Sequence, residues 1–385
     1  MKLNLAFCIF KYYPFGGLEK NFFRIAEEVL RRGHSISVFT MKWEGALPSG
    51  VGAENFKVEI LPTEGFSNHS RCYNFYNNVK IELGKNNFDL IVGYNKMPGL
   101  DLYYCADVCF EYESRKNKPF WFFWTPRYKI YSEFEKAVFS KNSSTAVLAL
   151  SHIQQNIYMR EYGIPSTRFY PVPAGIDKEK IRKVTDAGRR LELRSLFNVA
   201  EDENMLLMIG SDYKRKGVLR SVEALASLPE KTRSKTKLFI LGRGKEAAVK
   251  KRASSLGVDS QLFIMGGVDN VPEYLAAADL LLHPALAENT GNAIVEALIA
   301  GVPVIATDNC GYAFHISEAE AGYVLPGEEY EQKKLNDVLL EFLELDPRSR
   351  TELSRNARGY ADTTDFYSRP SAVADIIESL SGQNK

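Results

Sequence analysis

Tyr170-Pro171-Val172-Pro173-Ala174-Gly175-Ile176-Asp177 interrupts an otherwise steady alternation of apolar runs and amphipathic patterns. Prolines and a glycine this close together halt regular structure, as a hinge between domains does. Upstream, Leu5–Phe10 reads as a strand and Phe22–Arg31 as an amphipathic helix closing at Gly33. Ser35–Thr40, Val58–Leu61, Leu90–Gly93 and Thr145–Leu150 read as further strands, with helices over Tyr73–Leu83 and His152–Glu161. Downstream the rhythm restarts, with strands at Met205–Ile209, Lys237–Leu241, Gln261–Met265, Leu280–His283 and Val302–Ala306 separated by helices. Strands alternating with helices predict βαβ units on parallel sheets. The expected fold is therefore α/β, with Rossmann-like domains over 1–169 and 170–364. The amphipathic end, 365–385, is expected to cross back and cover the first domain. Two such domains facing one another would leave a cleft, and open α/β sheets bind ligands beyond the carboxyl ends of their strands.

The 385 residues exceed what one hydrophobic core usually supports. With 45% hydrophobic and 25% charged residues the composition is that of an ordinary soluble globular protein. A formal net charge of +1 gives no global field to attract nucleic acid, so any attraction to an anionic surface must be local. Five scattered cysteines (Cys8, Cys72, Cys105, Cys109 and Cys310) suit a reducing cytoplasm better than a disulfide framework. Cys105 and Cys109 share a helical spacing, but no second Cys or His pair completes a zinc site. The apolar start, Leu3–Phe10, is too short for a signal peptide and meets Lys11 at once, so a buried first strand is expected. Nowhere do the roughly 18 apolar residues of a membrane span run together.

Three loops after predicted strands carry chemistry. In Lys11-Tyr12-Tyr13-Pro14-Phe15-Gly16-Gly17-Leu18-Glu19-Lys20, adjacent glycines before a helix let backbone N–H groups approach an anion. The loop is neither a dinucleotide fingerprint nor a P-loop, because no Gly-Lys-Ser/Thr follows. Gly210-Ser211-Asp212-Tyr213-Lys214-Arg215-Lys216-Gly217 opens the matching turn of the second half. Arg215 offers bidentate contacts to phosphate oxygens and Lys216 a point charge. Fixed cations can neutralise a departing nucleoside diphosphate without a metal, and no Asp-x-Asp pair exists to hold one.

The third loop, His283-Pro284-Ala285-Leu286-Ala287-Glu288-Asn289-Thr290-Gly291-Asn292-Ala293-Ile294-Val295-Glu296, is the most specific. A glycosidase needs carboxyls about 5–10 Å apart. The chain between Glu288 and Glu296 spans about 12 Å or more at the helical rise, so separate duties are expected. Glu296 would take the ribose hydroxyls of a nucleoside. Glu288 would hold sugar hydroxyls and oppose positive charge at the anomeric carbon. Backbone N–H groups of Gly291, Asn292 and Ala293 would point at the pyrophosphate.

Glu288, Gly291 and Glu296 followed by Ala300-Gly301-Val302-Pro303-Val304-Ile305 resemble the signature of retaining GT-B glycosyltransferases of family four. Lys11–Leu18, Trp43-Glu44-Gly45, Asn95–Asp101, Ala106–Cys109, Gly210-Ser211-Asp212 and Ser221–Glu230 narrow the resemblance to the lipopolysaccharide core glucosyltransferase I family, nearly end to end. The resemblance implies a GT-B fold and transfer of glucose from UDP-glucose, as substrate and without a cofactor, to an inner-core heptose in α linkage. It also implies that Asp107 lies near the acceptor hydroxyl or donor sugar. The family usually has Asp where this chain has Asn21, an amide that can still hydrogen-bond a sugar hydroxyl. Ala174-Gly175-Ile176-Asp177 replaces the usual Asn-Gly-Ile-Asp, and Asn289-Thr290 and Asn292-Ala293 vary inside the donor loop.

Between 110 and 141 lies Phe120-Trp121-Phe122-Phe123-Trp124, with Arg115, Lys116, Lys118, Arg127, Lys129, Lys136 and Lys141 nearby. Against these stand Glu111, Glu113, Glu133 and Glu135. Rings and cations together suit an anionic bilayer interface, and five successive rings cannot share one helix face. Trp121, Phe122, Trp124, Arg127 and Lys129 are the expected membrane contacts, and a family likeness in this region implies a peripheral protein on the inner face of the inner membrane. Two rivals remain at this level. A UDP-sugar epimerase of the same shape would need more acid and His groups than His34, His69, His152, His283 and His315 supply. A non-catalytic UDP-sugar-binding protein would not need Glu288 beside Arg215 and Lys216.

Overall fold

The computed structural model describes residues 2–14, 16–48, 55–185 and 188–383, so Phe15 of the first glycine loop lies outside the described residues. The chain forms two compact units, Met1–Gly175 with Ser368–Lys385, and Ile176–Tyr367. The crossings fall a few residues later than the 169/170 and 364/365 boundaries expected above. The reason is local. Phe169–Pro171 still pairs in the first sheet, at its edge, where a proline costs no ladder hydrogen bond, and Val172 N donates to Ala149 O at 3.1 Å.

The first unit holds seven parallel strands: β1 (Asn4–Cys8), β2 (Ser35–Thr40), β3 (Phe56–Ile60), β4 (Leu90–Gly93), β5 (Leu102–Cys105), β6 (Ala146–Ala149) and β7 (Phe169–Pro171). Their order is β3-β2-β1-β4-β5-β6-β7. The near-continuous apolar runs of β1, β5 and β6 are buried because helices cover both faces. One cover is the helix Gly17–Arg31, which buries Phe22, Ile25, Ala26 and Val29. Beside it lies the helix Arg369–Gln383, with Val373, Ala374 and Ile377 in the same core. Arg32 pairs with Asp375 at 2.6 Å, and Arg369, 1% exposed, donates to Pro173 O and to the Tyr104 hydroxyl. The helix Arg369–Gln383 is thereby fixed to the first sheet.

The second unit holds six parallel strands: β8 (Asn204–Ile209), β9 (Thr236–Leu241), β10 (Leu262–Gly266), β11 (Leu280–His283), β12 (Val304–Thr307) and β13 (Gly322–Leu325). Their order is β10-β9-β8-β11-β12-β13. In each sheet the chain leaves the central strand, β1 or β8, first to one side and later returns to the other. The crevice of a doubly wound sheet opens at that reversal, between β1 and β4 and between β8 and β11.

The aromatic segment folds as a helix Phe110–Asn117, a 3-10 turn Phe120–Trp124 and a helix Pro126–Phe139. Phe120, Trp121 and Trp124 are 72%, 57% and 66% exposed. Phe122 is not a surface residue: it is buried against Phe110, Phe123 and Tyr128. The tight turn aims one ring inward to anchor it while its neighbours point out. Arg127 and Lys129 are exposed. Of the four acids, Glu135 is wholly buried, so the exposed surface is more basic than composition suggests, while Glu111 accepts from the Tyr128 hydroxyl.

Candidate active site

The loop after β8 is shaped by what glycine permits. At Gly217 φ is +75°, and a Cβ there would sit 2.0 Å from Pro284 O. Only glycine lets this backbone press onto the segment leaving β11. At Gly210 a Cβ would meet the Lys216 stem at 2.7 Å, so the missing side chain is the channel through which Lys216 reaches inward. Leu286 N donates to Arg215 O at 2.8 Å, and Arg220 reaches Pro284 O at 3.1 Å, locking the two loops together.

Glu288 is fixed from the other side. Its N–H donates to Asn309 O at 3.1 Å and it bridges to Cys310, in the loop after β12. Its carboxylate accepts from Arg215 Nη1 at 2.8 Å and is paired with Lys216 Nζ. The Lys216 and Glu288 side chains are each 11% exposed, whereas Arg215 is 41% exposed. Burial opposes the Glu288 charge, but the Lys216 ammonium and the Arg215 guanidinium outweigh it and hold the carboxyl below the usual range. His283 lies beneath, fully buried. Burial first, then the Lys216 charge, push its pKa down to about 3, so it is a neutral imidazole at neutral pH. Neither ring nitrogen has a hydrogen-bond partner among the described residues.

Beyond Glu288, Gly291 is the N-cap of the helix Asn292–Ala300. Asn292 and Ala293 open this helix, whose first N–H groups and dipole favour an anion. Glu296 lies partly buried in its middle, so Glu288 and Glu296 are carried by different elements. Arg215, Lys216, Glu288, Gly291, Asn292 and Ala293 thus collect at the β8/β11 reversal, and Glu296 follows on the helix. Two fixed cations, a helix N-terminus and one ionised carboxylate suit a diphosphate joined to a sugar. Among the described residues no three His, Cys, Asp or Glu side chains cluster as metal ligands.

The other expected residues belong to the first unit. Gly16 and Gly17 begin the helix after β1, but the Glu19 carboxylate folds back over Gly16 and onto its own amide. Burial raises the Glu19 pKa. Asn21, buried, donates from Nδ2 to Gly17 O at 2.9 Å and packs beside Gly175. Asp107 is exposed in the loop after β5, its carboxylate 3.4 Å from the Tyr103 hydroxyl and its carbonyl accepting from Tyr158.

Sequence reasoning missed what holds that loop. Lys96 Nζ pairs with Glu135 at 2.5 Å and donates to Val108 O at 3.0 Å. Glu135 also accepts from Phe110 N, Glu111 N and the Tyr162 hydroxyl. Burial disfavours both charges, but their mutual attraction raises the Lys96 pKa and lowers that of Glu135. A signal existed: Glu135 lies on the helical face of Tyr131, Phe134 and Val138, an apolar stripe.

This fold and this cluster define a glycosyltransferase of the GT-B class, a hexosyltransferase. The first unit matches the model of Glycosyltransferase Family 4 over residues 15–180, and the second that of glycosyl transferases group 1 over 190–360. The chain is 42% identical over 373 residues to the lipopolysaccharide glucosyltransferase WaaG of Escherichia coli K12, covering 97% of this chain and 98% of that protein. It belongs to the WaaG family of lipopolysaccharide glucosyltransferases. A crystal structure of WaaG, a glycosyltransferase involved in lipopolysaccharide biosynthesis, superposes with a TM-score of 0.90 at 41% identity, covering 97% of this chain and 99% of that one. Anabaena HepE in complex with UDP and glucose shares the fold, with a TM-score of 0.73 at 18% identity over 98% and 100% of the two chains.

Proposed function

We propose that this enzyme moves glucose from UDP-glucose to the inner-core heptose of lipopolysaccharide, forming an α linkage with retention at the anomeric carbon. The carrying observation is the Arg215–Lys216–Glu288 cluster at the reversal of the second sheet. Arg215 and Lys216 take the negative charge that builds on the leaving diphosphate, and the amides of Gly291, Asn292 and Ala293 share it. Glu288 holds the sugar hydroxyls and opposes the positive charge at the anomeric carbon. Glu296 anchors the ribose. The departing phosphate oxygen takes the acceptor proton on the same face, and Asp107 orients acceptor or donor from the first unit. Gly16, Gly17 and Asn21 complete the donor contacts, and no metal is required.

The enzyme works as a peripheral protein on the inner face of the inner membrane. Exposed Phe120, Trp121 and Trp124 beside Arg127 and Lys129 support this, since rings settle at headgroups while cations meet anionic lipid. No helix among the described residues is long and apolar enough to cross a membrane. The test is a panel of UDP-glucose, UDP-galactose and UDP-N-acetylglucosamine with heptose-terminated core, following UDP release. Turnover with UDP-glucose above the others is expected. No turnover with any donor would overturn the reading.

A further inference from the structure

The reversal of the first sheet has its own crevice, a cavity of about 310 Å³ within the first unit, beyond the ends of β1, β2 and β4. That volume lies at the lower end of small-ligand pockets. Its walls carry Lys11 after β1, Asn95 after β4, and Asn68 and Arg71 on the first turn of the helix Asn68–Leu83. Neither Lys11 nor Arg71 has a carboxylate partner among the described residues. Among the described residues Arg71 Nε is buried without a hydrogen-bond acceptor, a costly state that a ligand oxygen would relieve. Both cations act on the Cys72 thiol, also on the wall: burial raises its pKa, and a hydrogen bond with Tyr131 followed by the Lys11 and Arg71 charges opposes the rise. Asn95 Oδ1 is occupied by Phe10 N at 2.7 Å, which leaves the amide N–H groups as its free donors. The one acid on the wall, Glu19, turns its carboxylate over Gly16.

We propose that this cavity is a subsite for an anionic group, carboxylate or phosphate, carried by the acceptor saccharide, with Lys11 and Arg71 as its ligands and Asn68 and Asn95 donating to neighbouring oxygens. The proposal rests on the glycosyltransferase reading and adds to it the charge of the acceptor. Arg71 presents a planar fork suited to two oxygens of one anion, and Lys11 adds a point charge.

Its test compares the full-length enzyme with Lys11→Gln, Arg71→Gln and Arg71→Lys. Three acceptors are used: native heptose-terminated core, the same core with its acidic sugars carboxyl-reduced, and the same core dephosphorylated. Each Gln variant is expected to raise the acceptor KM about ten- to a hundred-fold, with the UDP-sugar KM unchanged and partial recovery in Arg71→Lys. Whichever neutralised acceptor loses this discrimination identifies carboxylate or phosphate as the anion. Equal KM values for wild type and Gln variants, or the same penalty on every acceptor, would overturn the proposal. If wild type turned nothing over, the glycosyltransferase reading would fail instead. Calorimetric titration of the three core oligosaccharides, without donor, would then still decide it: weaker binding of the native core by the Gln variants supports the subsite, and equal binding refutes it.

Discussion

Glu288→Gln separates what the cluster contributes to stability from what it contributes to chemistry. The substitution keeps shape and removes one charge from a side chain 11% exposed, leaving the equally buried Lys216 ammonium facing an amide. Breaking a buried ion pair by neutralising one partner costs about 3–5 kcal/mol. Here the low end applies, because Arg215 is 41% exposed and can turn to water, and the amide oxygen still accepts one bond. About 3 kcal/mol in a unit of roughly 200 residues lowers its melting temperature by about 6–12 °C. Removing an electrostatic group aimed at developing charge costs about 10²–10³ in kcat. Scanning calorimetry and UDP-release kinetics on the same preparation read both. A lower Tm with kcat intact would make Glu288 a structural residue only. An unchanged Tm and kcat would refute the reasoning from burial and pairing altogether.

The same carboxylate sets a pH dependence. Its folded pKa is depressed, so its stabilisation is fully present above the ordinary glutamate value of about 4.5 and is lost as pH falls through the depressed value. The stability gap between wild type and Glu288→Gln should therefore be flat from pH 6 to 8 and shrink below about 4.5 in denaturant titrations; a constant gap at acid pH would contradict the shift. Gly217→Ala places a methyl against Pro284 O at a φ costing about 1–2 kcal/mol for any L side chain, so kcat/KM should fall at least about ten-fold as Lys216 is displaced, checked by the same UDP-release assay. In the aromatic turn, Ser at Phe120, Trp121 and Trp124 should weaken sedimentation with anionic liposomes without lowering Tm. Phe122→Ser should instead destabilise by about 3–5 kcal/mol, as loss of a core ring does; the opposite pattern would mean the exposed rings do not meet lipid.

Much of this was legible because parallel strands buried on both faces read as short apolar runs, and most of them stood out at once. Three did not. β5 follows β4 through the short connection 94–101 with no helix between, so the βαβ rhythm gave no cue for Leu102–Cys105. β7 hid inside the proline-rich segment, where an edge position makes Pro171 harmless. β13, Gly322–Leu325, starts on a glycine and is only partly buried until Leu325, so no apolar run marks it. At the site, Glu288 with Arg215 and Lys216 was readable because each follows a strand that ends at the same reversal. Phe122 and Glu135 were misjudged for one shared reason: composition counts rings and acids, whereas burial depends on which face of a turn each occupies. Glu135 counted as a surface acid, yet it is a buried anchor for the loop carrying Asp107.

Calorimetric titration of UDP into the wild type and an Arg215→Met/Lys216→Met double variant tests the central assignment without an acceptor. Two charge-assisted contacts of roughly 1.5–3 kcal/mol each predict a loss of at least about a hundred-fold in UDP affinity. Equal affinities in the two proteins would mean that the diphosphate does not bind at this cluster.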